Sequence, residues 1–120
     1  MKEIHDQNPV RIQARVTGNH LHLAVHDGSG WVGLDADKEV RNHVFDNVNR
    51  PIRLTLDLEG NGDIYGVSAN PAGRPRIWQG STNITNPGPH PEEAHDFFAV
   101  FVQQEGKSYV SDPIVYIRRK

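Results

Sequence analysis

The chain has 120 residues, of which 13 are basic and 15 acidic, a net charge of −2 with His neutral, and no cysteine. That length suits one domain with a real core, and the missing cysteines remove disulfides, thiolate metal sites and a cysteine nucleophile. The near-balanced charge gives no field favouring nucleic acid or an anionic membrane, and no apolar run approaches the ~20 residues of a membrane helix.

Eleven Gly and eight Pro, with few strong helix-forming runs, point to many short strands joined by turns. Residues 1–8 carry no periodic pattern and read as a flexible N-terminal segment of a single domain over 1–120. The first thirteen residues lack the apolar stretch of a secretory signal, which points to a cytoplasmic protein or to one whose signal has been removed.

The first strong element is VRIQARVTGNHLHLAVHDG, which predicts a hairpin turning at Gly18-Asn19. Val16 then faces Leu21, Ala14 faces Leu23 and Ile12 faces Val25, which gives one apolar face. The opposite face carries Arg11, Gln13 and Arg15 on one strand and His20, His22, Ala24 and His26 on the other. Three imidazoles at i, i+2 and i+6 of a strand point the same way, and neutral imidazole is a common metal ligand. The His20-x-His22 pair resembles the first motif of the cupin family, whose metal sits inside a barrel on two such histidines, a nearby Glu and a later His. Here His26 or Asp27 stands where that Glu is wanted, and the barrel-facing positions belong to Leu21, Leu23 and Val25. A polar outer face of a sheet is therefore the preferred reading, with anionic groups favoured when the histidines are protonated at mildly acid pH.

GWVGLDADKEVRNHVFDNV predicts a strand near Trp31–Leu34, a turn or short helix over Asp35–Arg41 and a strand near His43–Val48. The stretch DLEGNGDIYGVS invites two readings. It resembles an EF-hand calcium loop through Asp57, Glu59, Asn61, Gly62 and Ile64, but Ser68 occupies the position of the closing bidentate Glu and no helix pattern flanks it. Alternatively, Asn61-Gly62 is a two-residue type I′ turn, with Leu58 facing Tyr65, Leu56 facing Val67 and Leu54 facing Ala69. The hairpin accounts for both flanking strands and is preferred.

RPRIWQ predicts another short strand, in which Arg74, Arg76 and Trp78 share a face suited to sugars, carboxylates or a protein partner. As a Trp in a small sandwich, Trp78 is read first as core, and Trp31 still more so. NITNPGPHPEEAHD reads as a long connection, with a helical turn at Pro91-Glu92-Glu93 and a histidine on each side, His90 and His95. Finally, FFAVFVQQEGKSYVSDPIVYIRR predicts a hairpin turning at Glu105-Gly106. Its first strand, Phe97–Val102, is apolar on both faces, which predicts a central strand covered from two sides. Pro113 cannot donate to a ladder and predicts a bulge or an edge in the last strand.

Seven to nine short strands predict an all-β, two-sheet antiparallel sandwich, immunoglobulin-like in first choice, with a jelly-roll or small barrel as the alternative. No phosphate loop, dinucleotide fingerprint or nucleophile elbow occurs in its required context. The chain therefore reads as a non-enzymatic binding module for a carbohydrate or protein partner, acting as a homo-oligomer through an exposed sheet face or edge. Its ligand-binding candidates are Arg74, Arg76 and Trp78, then Arg11, Arg15, His20, His22 and His26. No catalytic residue, metal or cofactor is assigned. The alternatives are a small metal-dependent, cupin-like enzyme on the histidine strand, with Asp27, Glu92 or His95 brought near, and a structural assembly subunit.

Overall fold

The computed structural model describes residues 3–33, 41–45, 51–69, 76–84, 96–111 and 114–119, with backbone alone at 41–45, 69, 84, 96–97, 116 and 118–119. Twelve strands follow in chain order: β1 (Glu3–His5), β2 (Val10–Thr17), β3 (His20–His26), β4 (Trp31–Gly33), β5 (Arg41–Phe45), β6 (Ile52–Leu58), β7 (Asp63–Ala69), β8 (Arg76–Gln79), β9 (Ser81–Ile84), β10 (Asp96–Gln104), β11 (Lys107–Val110) and β12 (Val115–Arg119). They form two packed layers. One sheet runs β4-β3-β2-β6-β9; the other runs β1-β5-β12-β10-β7-β8, with β11 also on β10. Seven of the ten pairings are antiparallel, and β1·β5, β5·β12 and β2·β6 are parallel.

The core fills the space between the layers by simple alternation. Val10, Ile12 and Ala14 of β2, Leu23 and Val25 of β3, and Ile52, Leu54 and Leu56 of β6 face Phe98, Val100 and Val102 of β10 and Val115 and Ile117 of β12. The predicted register of the β2–β3 hairpin holds at each pair, and its turn residues Gly18 and Asn19 take φ of 58° and 64°. Both are left-handed, as a type I′ turn requires. The β10–β11 hairpin turns where expected, with Glu105 and Gly106 at φ of 53° and 73°.

The Asn61-Gly62 hairpin is not formed. β6 and β7 lie in different sheets, so Gly60–Gly62 is an arch that carries the chain across the core. Gly60 and Gly62 take positive φ, at 90° and 143°, but Asn61 does not, which excludes the two-residue turn. The cause is parity. Ile64 and Gly66 point into the core, whereas Tyr65 and Val67 point out and are half-buried. β7 instead pairs over seven residues with β10. The arch is held closed by Gln104, whose Nε2 donates to the carbonyls of Asn61 (2.7 Å) and Glu59 (3.4 Å).

Three further expectations are corrected. Residues 3–5, expected within a flexible segment, form β1, which pairs in parallel with β5 and has Ile4 buried. Asn83 and Ile84, read as the start of a connection, belong to β9, in which Thr82 is buried opposite Leu54. β10 is central, but only one of its faces is covered: Ala99 and Phe101 on the other face remain half-exposed.

The ladder on one edge of β10 passes from β11 to β12 with an interruption between them. From Phe101 to Phe98 β10 advances three residues, while its partner advances five, from Val110 to Val115. Where the ladder breaks, the Val100 N–H donates to Ser111 Oγ at 2.8 Å instead of to a carbonyl. Pro113 itself lies outside the described residues.

Candidate functional site

The outer face of the β4-β3-β2-β6-β9 sheet collects most of the candidate binding residues. Once Ile12, Ala14, Leu23 and Val25 face inward, alternation turns Arg11, Gln13, Arg15, His20, His22 and His26 outward. Cross-strand register sets Arg15 against His22 and Gln13 between Ala24 and Asp57.

At one end of this face stands Trp31, which the sequence reading assigned to the core. It pairs with His26 in register, so it shares that residue's outward face, and 41% of its surface is exposed. The imidazole of His26 meets the indole edge-on, with centroids 5.3 Å apart and planes at 86°. The Arg11 guanidinium lies over the ring at 4.9 Å from its centroid. Such a cation–π contact contributes about 0.5–1 kcal/mol at an exposed site.

The loop leading into Trp31 is ordered by its own side chains. Asp27 Oδ1 accepts the N–H groups of Ser29 (2.8 Å) and Gly30 (3.0 Å), the Asp27 N–H donates to the Gly30 carbonyl (3.0 Å), and the Gly28 N–H donates to His26 Nδ1 (3.1 Å). An Asp followed by Gly-Ser-Gly favours such a turn, because the carboxylate stands in for a backbone acceptor. The loop thus fixes the strand positions from which His26 and Trp31 project.

Toward the other end, Gln13, Arg15, His22, Ala24 and Glu59 line a shallow depression of about 180 Å³. Arg15 and Glu59 also border a larger cleft of about 850 Å³ at the tip of the sandwich, between the arch and the β10–β11 turn, where Asn61, Asp63 and Lys107 take part. Lys107 Nζ donates to Asn19 Oδ1 at 2.8 Å and links the two hairpin tips. The face therefore runs from a fixed aromatic group, past histidine and arginine, into a polar cleft.

The three histidines do not converge. Successive residues on one strand face are ~6.7 Å apart, so His22 and His26 are separated by ~13 Å, beyond the reach of one ion with ~2 Å bonds to nitrogen. Among the described residues, no group of three His, Asp or Glu side chains is placed to hold a metal. Asp57, Glu59 and Asp63 of the calcium-like stretch are exposed and divided between two strands of different sheets and the arch between them. His90, Glu92, Glu93 and His95 lie outside the described residues, as does Arg74.

Arg76 and Trp78 do not form one surface. Trp78 is core, 7% exposed, packed where its register partner Gly66 leaves room for the indole, so it offers no ring to a ligand. Its Nε1 is buried without a hydrogen-bond partner. Arg76, at the strand's exposed start, reaches across to the other sheet and donates from Nη1 to the Asn83 carbonyl at 3.4 Å. Ile77, between them, points outward and is 71% exposed. Comparison with protein-family models, with curated proteins and with solved structures gave no match.

Proposed function

We propose that the protein is a non-enzymatic β-sandwich binding module whose Arg11–His26–Trp31 face recognises a carbohydrate bearing an anionic group. The observation that carries this reading is Trp31, a large aromatic ring kept at the surface and fixed on two sides by cationic or polar partners. An indole supplies a flat apolar surface against the C–H face of a sugar ring, with little conformational entropy to lose. Arg11 and Arg15 supply forked donors for carboxylate or sulfate, and Gln13 and His22 add hydrogen-bonding capacity along the same track. The immunoglobulin-like comparison rests on the two packed layers, and the twelve strands and the parallel β1·β5, β2·β6 and β5·β12 pairings are departures from it. Assembly as a homo-oligomer belongs to the same reading.

The test is a screen of acidic and neutral oligosaccharides against the intact chain, followed by titration calorimetry with Trp31→Ala and Arg11→Ala. Acidic sugars should bind, and Trp31→Ala should weaken them at least tenfold, equivalent to about 1.4 kcal/mol, with an unchanged circular dichroism spectrum. Binding that survives Trp31→Ala unaltered, or its absence across the screen, would remove the reading.

A further inference from the structure

The geometry points to a seat for one uronic-acid ring, a sugar unit with a single carboxylate and unsubstituted hydroxyls, in a trough between Trp31 and the neighbouring pair Arg15 and Glu59. This rests on the reading of the Trp31 face given above. It narrows the ligand from acidic sugars in general to uronates, with Glu59 rejecting units whose hydroxyls carry sulfate.

The trough follows from which residues share a row across the strands. One row holds His26 and Trp31, with Arg11 over the indole. The next holds Gln13, Ala24 and Gly33, and the one after it Arg15 and His22. The outer rows are tall, whereas Ala24 and Gly33 carry a methyl group and nothing. A Cβ at Gly33 would meet no atom within 4 Å, so the space above that end of the middle row is open. The tall rows are four residues apart on β3, ~13 Å at ~3.3 Å per residue. The depression over Ala24 holds about 180 Å³, equivalent to about six waters of liquid volume, a size that suits a single pyranose ring.

The wall away from Trp31 carries both signs of charge. One residue beyond Leu58, the Glu59 N–H donates to the Ala14 carbonyl at 2.9 Å, which continues the β2·β6 pairing and sets Glu59 beside Arg15 on the outer face. Both side chains are exposed, and among the described residues no ion pair joins them. A guanidinium fork matches a carboxylate, and an ionised Glu only accepts, so it calls for hydroxyl protons. Gln13 can do either. A ring that satisfies all three has one anionic group and free hydroxyls within its own span, which describes a uronate. A purely cationic patch would prefer the most highly charged polymer on offer. Here a sulfate in place of a hydroxyl at Glu59 would set two negative charges ~4 Å apart, a penalty of about fivefold in affinity even at the dielectric constant of water. The indole on the opposite wall then takes the C–H face of the next ring along the chain.

The experiment is titration calorimetry on the full chain with tetrasaccharides of galacturonate, glucuronate and mannuronate, each set beside its neutral parent and its O-sulfated derivative. At least one uronate should bind, with its neutral parent about tenfold weaker or more and its O-sulfated derivative about fivefold weaker or more. In Glu59→Gln the O-sulfated derivative should bind at least as well as the uronate itself. Ala24→Leu fills the floor and leaves every charge in place, and should weaken the uronate about tenfold or more. Circular dichroism and urea unfolding check both variants, and Glu59→Gln, at an exposed position, carries the test if Leu disturbs the sheet. No binding by any acidic tetrasaccharide would overturn both this seat and the reading of the Trp31 face. Binding that is lost in Trp31→Ala, yet is strengthened by O-sulfation in wild type or keeps its preference in Glu59→Gln, would overturn the seat alone. Wild-type affinity in a folded Ala24→Leu would do the same.

Discussion

Gly66 and Trp78 face each other across the β7·β8 pairing, and the core depends on Gly66 having no side chain. A Cβ there would fall 2.7 Å from Trp78 Nε1 and closer still to the ring carbons. Carbon atoms need roughly 3.5–4 Å, so the indole would have to retreat by about 1 Å inside a layer where it is 7% exposed. Overpacking of this kind costs about 1–3 kcal/mol, offset by the ~0.5–1 kcal/mol that Ala gains over Gly in a strand. Gly66→Ala should therefore destabilise by about 1 kcal/mol net. With an unfolding entropy of ~2.1 cal/mol/K per residue over this chain, that lowers the midpoint by about 4 °C. The informative assay is a double-mutant cycle with Trp78→Leu, followed by urea denaturation and far-UV circular dichroism. Leu vacates the space the new methyl needs, so in the Trp78→Leu background Gly66→Ala should stabilise by the ~0.5–1 kcal/mol that Ala gains over Gly, a coupling of about 2 kcal/mol. Equal costs in both backgrounds would show that Trp78 does not pack on Gly66, and would refute the placement of β8.

Other perturbations test the remaining structure. Ser111→Ala removes the acceptor for the partly buried Val100 N–H and should cost about 1–2 kcal/mol in urea denaturation, whereas Ser111→Thr, which keeps the hydroxyl, should cost less. Gly62→Ala puts a Cβ 2.5 Å from the Gln103 carbonyl oxygen at a φ of 143°, so it should destabilise by about 2 kcal/mol or more, since backbone cannot step aside; a neutral result would refute the close approach of Gly62 to Gln103. Gln104→Ala should speed amide exchange at Glu59–Asp63 by releasing the arch, with a global loss of about 1 kcal/mol. Arg11→Met should lower stability by no more than about 1 kcal/mol and shift Trp31 fluorescence, since it removes the cation above the ring.

The two hairpins with left-handed turn pairs were legible from sequence because a turn and two alternating strands constrain one another within twenty residues. The arch was not. LTLDLEGNGDIYG places Leu54 and Leu56 inward in either reading, and only the parity after the turn differs. That parity is settled by β10, some thirty residues further on, and by Gly66, whose inward position is empty because Trp78 fills it. Ile64, left facing Glu59 by the hairpin register, is one of the buried residues. Trp31 illustrates the reverse case. Its exposure follows from pairing with His26 across a four-residue turn, a step open to sequence reasoning once the histidine face is taken as outward. General expectation about Trp in small sandwiches concealed it. The uncovered side of β10 needed three dimensions, since a strand apolar on both faces signals burial without saying whether the same chain supplies the cover.

The order in which the chain visits its two layers bears on how it can come to be folded. Between β1 and β12 it passes from one sheet to the other six times, so neither sheet is built from an unbroken run of strands, and the parallel pairs join strands far apart in sequence. The first sixty residues hold four of the five strands of one layer but only two of the seven of the other, and no closed core. Assembly must await partners separated by long loops, a topology associated with folding in milliseconds to seconds. A nascent chain emerging from a ribosome would hold the β2–β3 hairpin early, yet β5 and β7 would each lack one neighbour until β10 and β12 arrived. During that interval the apolar side of each strand is open to other molecules, and the protein's exposure to chaperones is set by connectivity before it is set by stability.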